Sequence, residues 1–292
     1  MKTMKLSTEI RSVARFVGEE EAIRLLAEVG FEAWDFSMFD MAPYNYTERR
    51  ITEGGHPLQG DNWRAFAERL AKVGRECGIV CNQSHAPFPT YCPEMREYLL
   101  RAIECTAIVG GSACIIHPDN YKGNEENAEL YASLLPFAKA CGVKIATENT
   151  FRIDRAKDQI LPCSTSTPAG ISELLDLIDD PYFVACLDIG HAELAGLSTS
   201  ACEMIRALGA DRLACLHISD NDKRHDSHVL PFTMEIAWEP IAAALAEVGY
   251  RGDLTLECGN YAKAFTAEAA PAVAKAMADA ANRLRDLIRK RA

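Results

Sequence analysis

The chain has 292 residues, 48% hydrophobic, 25% charged and 8% aromatic, with a formal net charge of −11. This composition excludes a disordered, collagen-like or coiled-coil protein, and no run approaches the ~18 uninterrupted apolar residues of a membrane span. The acidic balance supplies no global field for nucleic acid or anionic lipid, so neither is expected as a partner. Residues 1–17 carry Lys2, Lys5, Arg11 and Arg15 without a continuous apolar block, which does not read as a secretory signal. The eleven cysteines are odd in number and include no C-x-x-C pair. Most sit in apolar runs such as Ala113-Cys-Ile-Ile116, so they read as reduced core residues of a cytoplasmic protein.

One punctuation mark recurs along the chain: an apolar-faced helix, a glycine, then a β-rich run. It appears at Ala27-Glu-Val-Gly-Phe31, Arg75-Glu-Cys-Gly-Ile79, Lys139-Ala-Cys-Gly-Val143 and Ala246-Glu-Val-Gly-Tyr250, with looser copies at Val109-Gly-Gly-Ser112 and Leu208-Gly-Ala-Asp211. A glycine just past a helix can take the left-handed conformation that caps it. Amphipathic stripes at i, i+3, i+4, i+7 predict helices through Ala22–Val29, Trp63–Leu70, Met95–Ala102, Ile171–Ile178 and Ile241–Val248. Thr167-Pro168 supplies an N-cap followed by proline at the first helical position, and a long final helix is expected over 267–289.

Strands are predicted over about 5–10, 31–37, 79–85, 113–117, 143–148, 183–188, 213–218 and 253–258. Several are apolar on successive residues, as strands covered on both faces are. Strands alternating with helices over the whole length give a single α/β domain, a (β/α)8 barrel spanning residues 1–292. A doubly wound open sheet is the alternative, but no Gly-x-Gly-x-x-Gly follows any strand. Helix-to-strand connections are short. Three strand-to-helix connections are long, 38–60, 149–166 and 219–238, and in a barrel these emerge on the C-terminal face, where active sites lie.

From the third strand onward, the strand ends carry titratable residues: His85, His117, Glu148, Asp188 with His191 three residues on, His217 and Glu257. Asp226 and His228 follow in the loop after strand 7. Five of the chain's seven histidines belong to this set; His56 and His225 read as surface. In a barrel these side chains converge over one mouth. Converging carboxylates repel one another unless protons or a cation compensate them, and a divalent cation is the simplest compensation. Glu148, Asp188, His217 and Glu257 come from four successive strands. Three oxygens and one nitrogen suit Mn2+ first, with Mg2+, Co2+ or Zn2+ as alternatives.

The Glu148-Asn-Thr after strand 5, the Asp188-x-x-His191 after strand 6, the His217-x-x-Asp220 after strand 7 with Asp226-x-His228, and Glu257 on strand 8 together resemble the xylose isomerase-like TIM barrels. That superfamily includes sugar and sugar-phosphate isomerases and epimerases, inosose dehydratases and endonuclease IV. The resemblance implies one divalent metal on Glu148, Asp188, His217 and Glu257. It also implies proton transfer by Glu148 and Glu257 as the catalytic residues, and substrate oxygens held by His191. His85, His117, Asp226 and His228 join His191 as candidate substrate-binding residues. The implied reaction is isomerisation or epimerisation of a sugar or sugar phosphate by proton transfer through an enediolate. An inosose dehydratase-like lyase is one alternative.

Endonuclease IV is the other. His85, His117, Glu148, Asp188, His191, His217, Asp226, His228 and Glu257 match its nine ligands for three zinc ions. Against it, Glu148-Asn-Thr-Phe-Arg-Ile-Asp154 departs from that enzyme's Glu-Asn-Thr-Ala-Gly-Gln-Gly, and no basic loop with aromatic wedges is evident. The substrate is therefore expected to be a small carbohydrate, and since the related isomerases are often dimers or tetramers, a homo-oligomer is among the expectations. Lys223, Arg224 and Arg152 are candidates for gripping a phosphate or carboxylate, and Trp34, Phe36 and Trp238 are candidates either for stacking on a sugar ring or for the core.

Overall fold

The computed structural model describes residues 4–291. Eight parallel strands form the barrel wall: β1 (Leu6–Thr8), β2 (Ala33–Ser37), β3 (Val80–His85), β4 (Ala113–Ile115), β5 (Lys144–Glu148), β6 (Phe183–Asp188), β7 (Leu213–His217) and β8 (Leu254–Leu256). β2 through β7 make one continuous ladder, and β1 pairs with β8. Single parallel bridges, Glu9 with Asp35 and Ile218 with Leu256, join the two pieces and close the ring. All eight strands fall within the predicted ranges.

Helices pack outside the ring, each burying one stripe. Ile171, Leu174 and Leu175 are buried on the helix Pro168–Ile178, where the Thr167 hydroxyl accepts the Gly170 N–H at 3.2 Å and caps its start. Gly30, Gly78, Gly110 and Gly142 end their helices in the left-handed conformation, as the repeated signal predicts. Gly209 differs: it breaks the helix Ala201–Arg212 with φ 61° and ψ −178° instead of capping it. No helix of the described residues is long and apolar enough to cross a membrane.

Side chains alternate across the strands, except at a bulge in β3 that turns both Asn82 and Gln83 inward, so elsewhere every second residue points into the barrel. Ala113, Ile115, Ala146, Val184, Cys186 and Cys215 form a small apolar cluster there. One further inward position along each strand lie Glu9, Ser37, His85, His117, Glu148, Asp188, His217 and Glu257. The eleven cysteines are all free, seven of them buried. Burial pushes the Cys105 thiol well above the usual thiol range and the Cys114 thiol up to about 11, which leaves both protonated and inert.

The long loops are not featureless. The 38–60 connection holds a two-residue hairpin, Tyr44–Asn45 with Arg50–Ile51, and the 149–166 connection holds a longer one, Phe151–Asp154 with Gln159–Pro162. The 219–238 loop is organised by one buried carboxylate. Asp220 accepts the N–H groups of Asn221, Thr233, Met234 and Ile236 and the Trp238 indole N–H. Trp238, Trp34 and Phe36 are each about 1% exposed, so all three belong to the core and none is free to stack on a ligand.

Candidate active site

Glu148, Asp188, His217 and Glu257 meet at the C-terminal mouth of the barrel, each offering one ligand atom within 4.8 Å of the others. Local structure aims them. Asn149 clamps the ends of β5 and β6: its amide donates to the Asp188 carbonyl at 2.9 Å and its side-chain oxygen accepts the Asp188 N–H at 2.7 Å. Asp188 Oδ1 accepts the His191 N–H at 2.7 Å, capping the short helix Ile189–Ala192, which leaves Oδ2 turned to the centre. His217 Nε2 lies 3.3 Å from Asp35 Oδ2, which also accepts the Gln83 amide at 2.9 Å. Donation to Asp35 fixes the ring and leaves Nδ1 facing Glu148 Oε1 at 3.3 Å and Glu257 Oε2 at 3.4 Å.

Three of these atoms, Glu148 Oε1, Asp188 Oδ2 and His217 Nδ1, are buried and have no hydrogen-bond partner among the described residues. Leaving one such group unpaired costs about 1–3 kcal/mol, and more when it is charged. Three oxygens and one nitrogen, oriented inward and mutually unsatisfied, fit a divalent cation. The residues behind them fit as well, because a ligating imidazole braced by a carboxylate is the usual arrangement around such ions.

The remaining predicted residues ring this centre. His85, His191 and His228 each donate Nδ1–H to a backbone carbonyl, of Ala86, Asn149 and Glu257 respectively, at 2.8–2.9 Å. Each therefore turns Nε2 into the mouth. His85 Nε2 meets His117 Nε2 at 3.0 Å, and His117 reaches Glu148 Oε2 at 3.2 Å. His228 Nε2 and His191 Nε2 flank Asp226 Oδ2 at 3.0 and 3.5 Å. All nine titratable residues singled out in the sequence are thus brought together.

The charges sort themselves. Burial pushes the Glu148 carboxyl up, but His217 and His117 outweigh it and hold it well below the usual carboxylate range. Burial raises Asp188 to about 6 despite His191 and His228. For His191, burial opposes the charged form, but Asp188 and Asp226 prevail and lift it to about 10. His228 is raised by Asp226 against its own burial in the same way.

Above the ring opens a cavity of about 610 Å³. Glu9, from the end of β1, lines it together with the catalytic candidates. Its carboxylate accepts the Ser12 N–H at 3.0 Å and the Ser37 hydroxyl at 3.2 Å, and bonds the Ser12 hydroxyl. Burial, with Glu257 and Asp35 nearby, raises it to about 7. Glu9 and Asp35 were absent from the sequence-level candidates, yet both obey the alternation that selects the others.

Other candidates separate. Arg152 lines the cavity, whereas Lys223, paired with Glu193 at 3.3 Å, and Arg224 do not. His225 is exposed as expected, but His56 is not a surface residue: it is 19% exposed and bonds Glu19 at 2.9 Å.

The family model described as xylose isomerase-like TIM barrel matches residues 23–287. The chain belongs to this family. An uncharacterized protein of Sinorhizobium fredii is 38% identical over 259 residues, covering 82% of this chain and 81% of that protein. Among solved structures, an L-ribulose 3-epimerase superposes with a TM-score of 0.73 at 17% identity, covering 99% of this chain and 96% of that one. A structure of the IOLI protein with a bound zinc atom gives 0.70 at 16% identity, covering 99% of each chain. At such identities these structures speak to the fold of this xylose isomerase-like barrel.

Proposed function

We propose that this xylose isomerase-like barrel is a metal-dependent sugar isomerase or epimerase that moves a proton on the carbon beside a carbonyl. The observation that carries the reading is the set of three buried, unpartnered ligand atoms on Glu148, Asp188 and His217, joined by Glu257 beneath a sugar-sized cavity. A divalent cation held by these four residues, Mn2+ being the first choice and the zinc of the IOLI structure an alternative, would polarise a carbonyl and its neighbouring hydroxyl.

The chain's own groups do the rest. Glu148 has one oxygen turned to the ligand centre and the other to His117. Glu257 stands three strands further round the ring, so the two carboxylates can address a flat substrate from different sides. One removes the proton and the other returns it. His191 and His228, held protonated by Asp226 and Asp188, are donors for substrate hydroxyls, and His85 and His117 complete the wall. A related epimerase structure names a ketose as its substrate, which supports a carbohydrate here.

Solvent deuterium exchange at the carbon beside the carbonyl is the test. Metal-loaded protein should exchange it in a ketose panel, and EDTA should stop the exchange. Failure to exchange any ketose or ketose derivative overturns the reading.

A second reading is favoured by one observation, the convergence of all nine candidate ligands. A phosphodiesterase of the endonuclease IV kind would use them for several zinc ions. We expect no incision of abasic DNA, and EDTA-sensitive cleavage at catalytic enzyme concentrations would reverse the order of the two readings.

A further inference from the structure

The cavity wall carries five arginine and lysine side chains, Arg11, Arg15, Arg152, Arg155 and Lys263, in a chain with a net charge of −11. Arg11 is paired with Asp40 at 3.3 Å. The other four make no ion pair among the described residues. They come from three separate segments: the helix after β1, the hairpin after β5 and the end of the short helix after β8. In the order of the ring, the first and last of these neighbour each other, and the hairpin lies across the mouth from them.

Their placement is specific. Arg152 Nε donates to the Pro162 carbonyl at 3.0 Å, which anchors the guanidinium and leaves its terminal nitrogens uncommitted. Arg15 lies over the chain just past Glu257: a Cβ built on Gly259 would sit 3.2 Å from Glu9 Oε1 and 3.7 Å from Arg15 Nη2. Lys263 Nζ donates to the Asn260 side chain at 2.6 Å.

Beneath these cations lie Glu9, Glu148, Asp226 and Glu257, which would repel an anion entering alone. A cation held by the carboxylates offsets that repulsion at the centre, and the rim cations raise the local concentration of an incoming anion. A neutral ketose would leave the charge of these four cations, which have no ion pair among the described residues, unmatched.

We infer that the substrate of this cavity is a sugar bearing an anionic group, a carboxylate or a phosphate, recognised by Arg15, Arg152, Arg155 and Lys263. This rests on the reading of the cavity as a sugar site. Guanidinium groups suit both oxyanions because their forked donors match two oxygens at once.

The test is calorimetric binding to the metal-loaded protein of four neutral ketohexoses, their 6-phosphates and the matching 6-carboxylates. At least one anionic probe should bind at least about tenfold more tightly than its neutral parent, the low end for one charge-assisted hydrogen bond. Whether the phosphate or the carboxylate leads distinguishes the two sources. Arg15→Gln and Arg152→Gln should each remove at least about threefold of that preference while leaving neutral binding within about twofold, and about 0.5 M NaCl should narrow it. Arg251→Gln, remote from the cavity, should change nothing. If no anionic probe binds more tightly than its parent, or if the preference survives in both rim variants, the inference is overturned. Deuterium exchange on the same probes separates the two failures. Exchange without anionic preference removes only this inference, and anionic preference without exchange removes only the isomerase reading.

Discussion

Nearer the N-terminal end of the barrel, Ser7 donates its hydroxyl to Asn82 at 2.8 Å and Asn82 donates its amide to Thr255 at 3.0 Å, tying β1, β3 and β8 together with neutral groups. At the C-terminal end, one or two residues further along the strands, the inward positions hold Glu148, Asp188, His217 and Glu257, and three of their atoms lack a hydrogen-bond partner among the described residues. Both sets are polar and enclosed by the same wall. The first is satisfied within the protein and can only hold strands together. The second is held in place, by Asn149, Asp35 and backbone carbonyls, in an arrangement that is costly unless something outside the chain completes it. Incomplete satisfaction, more than polarity or burial, separates the candidate functional layer from the structural one in this barrel.

The strongest way to break this comparison is to replace the carboxylates that distinguish the upper layer. Glu148→Gln and Glu257→Gln keep an oxygen of similar size and remove the base. Turnover should fall by about two to four powers of ten, while Mn2+ binding survives in weakened form. His191→Ala should instead raise KM more than it lowers kcat. A Gln variant that exchanges substrate deuterium at the parent rate would take that glutamate out of the chemistry.

Glu9 tests the boundary between the layers through pH. Its carboxyl is raised from 4.5 to about 7, so between those values the folded protein keeps a proton that the unfolded chain has lost. Stability is therefore fully present below about pH 4.5, declines as pH rises to about 7, and stays lower above it. At ~1.4 kcal/mol per pH unit the interval amounts to about 3 kcal/mol. Glu9→Gln should raise the melting temperature at pH 8 and lose that advantage at pH 4, as thermal unfolding across this range will show. A pH-independent difference would mean that folding leaves the Glu9 carboxyl unshifted.

Asp35 shapes the upper layer without entering it. By holding His217 Nε2 at 3.3 Å it keeps Nδ1 pointed at the carboxylates. Asp35→Asn should weaken Mn2+ affinity by about 10- to 100-fold, measured by calorimetric titration. An unchanged affinity would assign His217 its orientation from packing alone.

Glu9 and Asp35 also show how far the sequence can be read. The eight strands are legible as short, largely apolar runs that end in a loop, four of them, β2 to β5, directly after a helix-capping glycine, and six strand ends are legible because each closes with a His, Asp or Glu. Reading from the third strand onward passes over Glu9 and Asp35, although the same two-residue alternation places them inside. Asp35 hides in Ala33-Trp-Asp-Phe-Ser37, where the flanking aromatics draw attention and face the outer core. The role of the 219–238 loop is not legible locally, since Asp220 gathers N–H groups 13 to 16 residues away that no spacing rule connects. Nor is the nearness of Arg15 and Lys263, which lie far apart in the chain and line one cavity because the first and last strands are neighbours in a closed ring.

The smallest expected effect belongs to the lower layer and completes the comparison. Asn82→Ala removes the group that both accepts from Ser7 and donates to Thr255, leaving two buried hydroxyls to find new partners. Such a loss should cost about 1–3 kcal/mol, visible as a lower denaturant midpoint with an unchanged slope. Mn2+ affinity and turnover should stay within about twofold of the parent, because the upper layer is braced by Asn149, Asp35 and the carbonyls of Ala86 and Glu257, none of which bonds Asn82 directly, and the one relay between them is a long 3.4 Å bond from the Asn82 amide to Gln83, whose own amide donates to Asp35. Adding Ser7→Ala should cost little more, since it removes the hydroxyl already left without its acceptor. If Asn82→Ala instead lowered metal affinity in proportion to stability, the two layers would be one cooperative network, and the unpaired atoms above would owe their placement to the paired ones below.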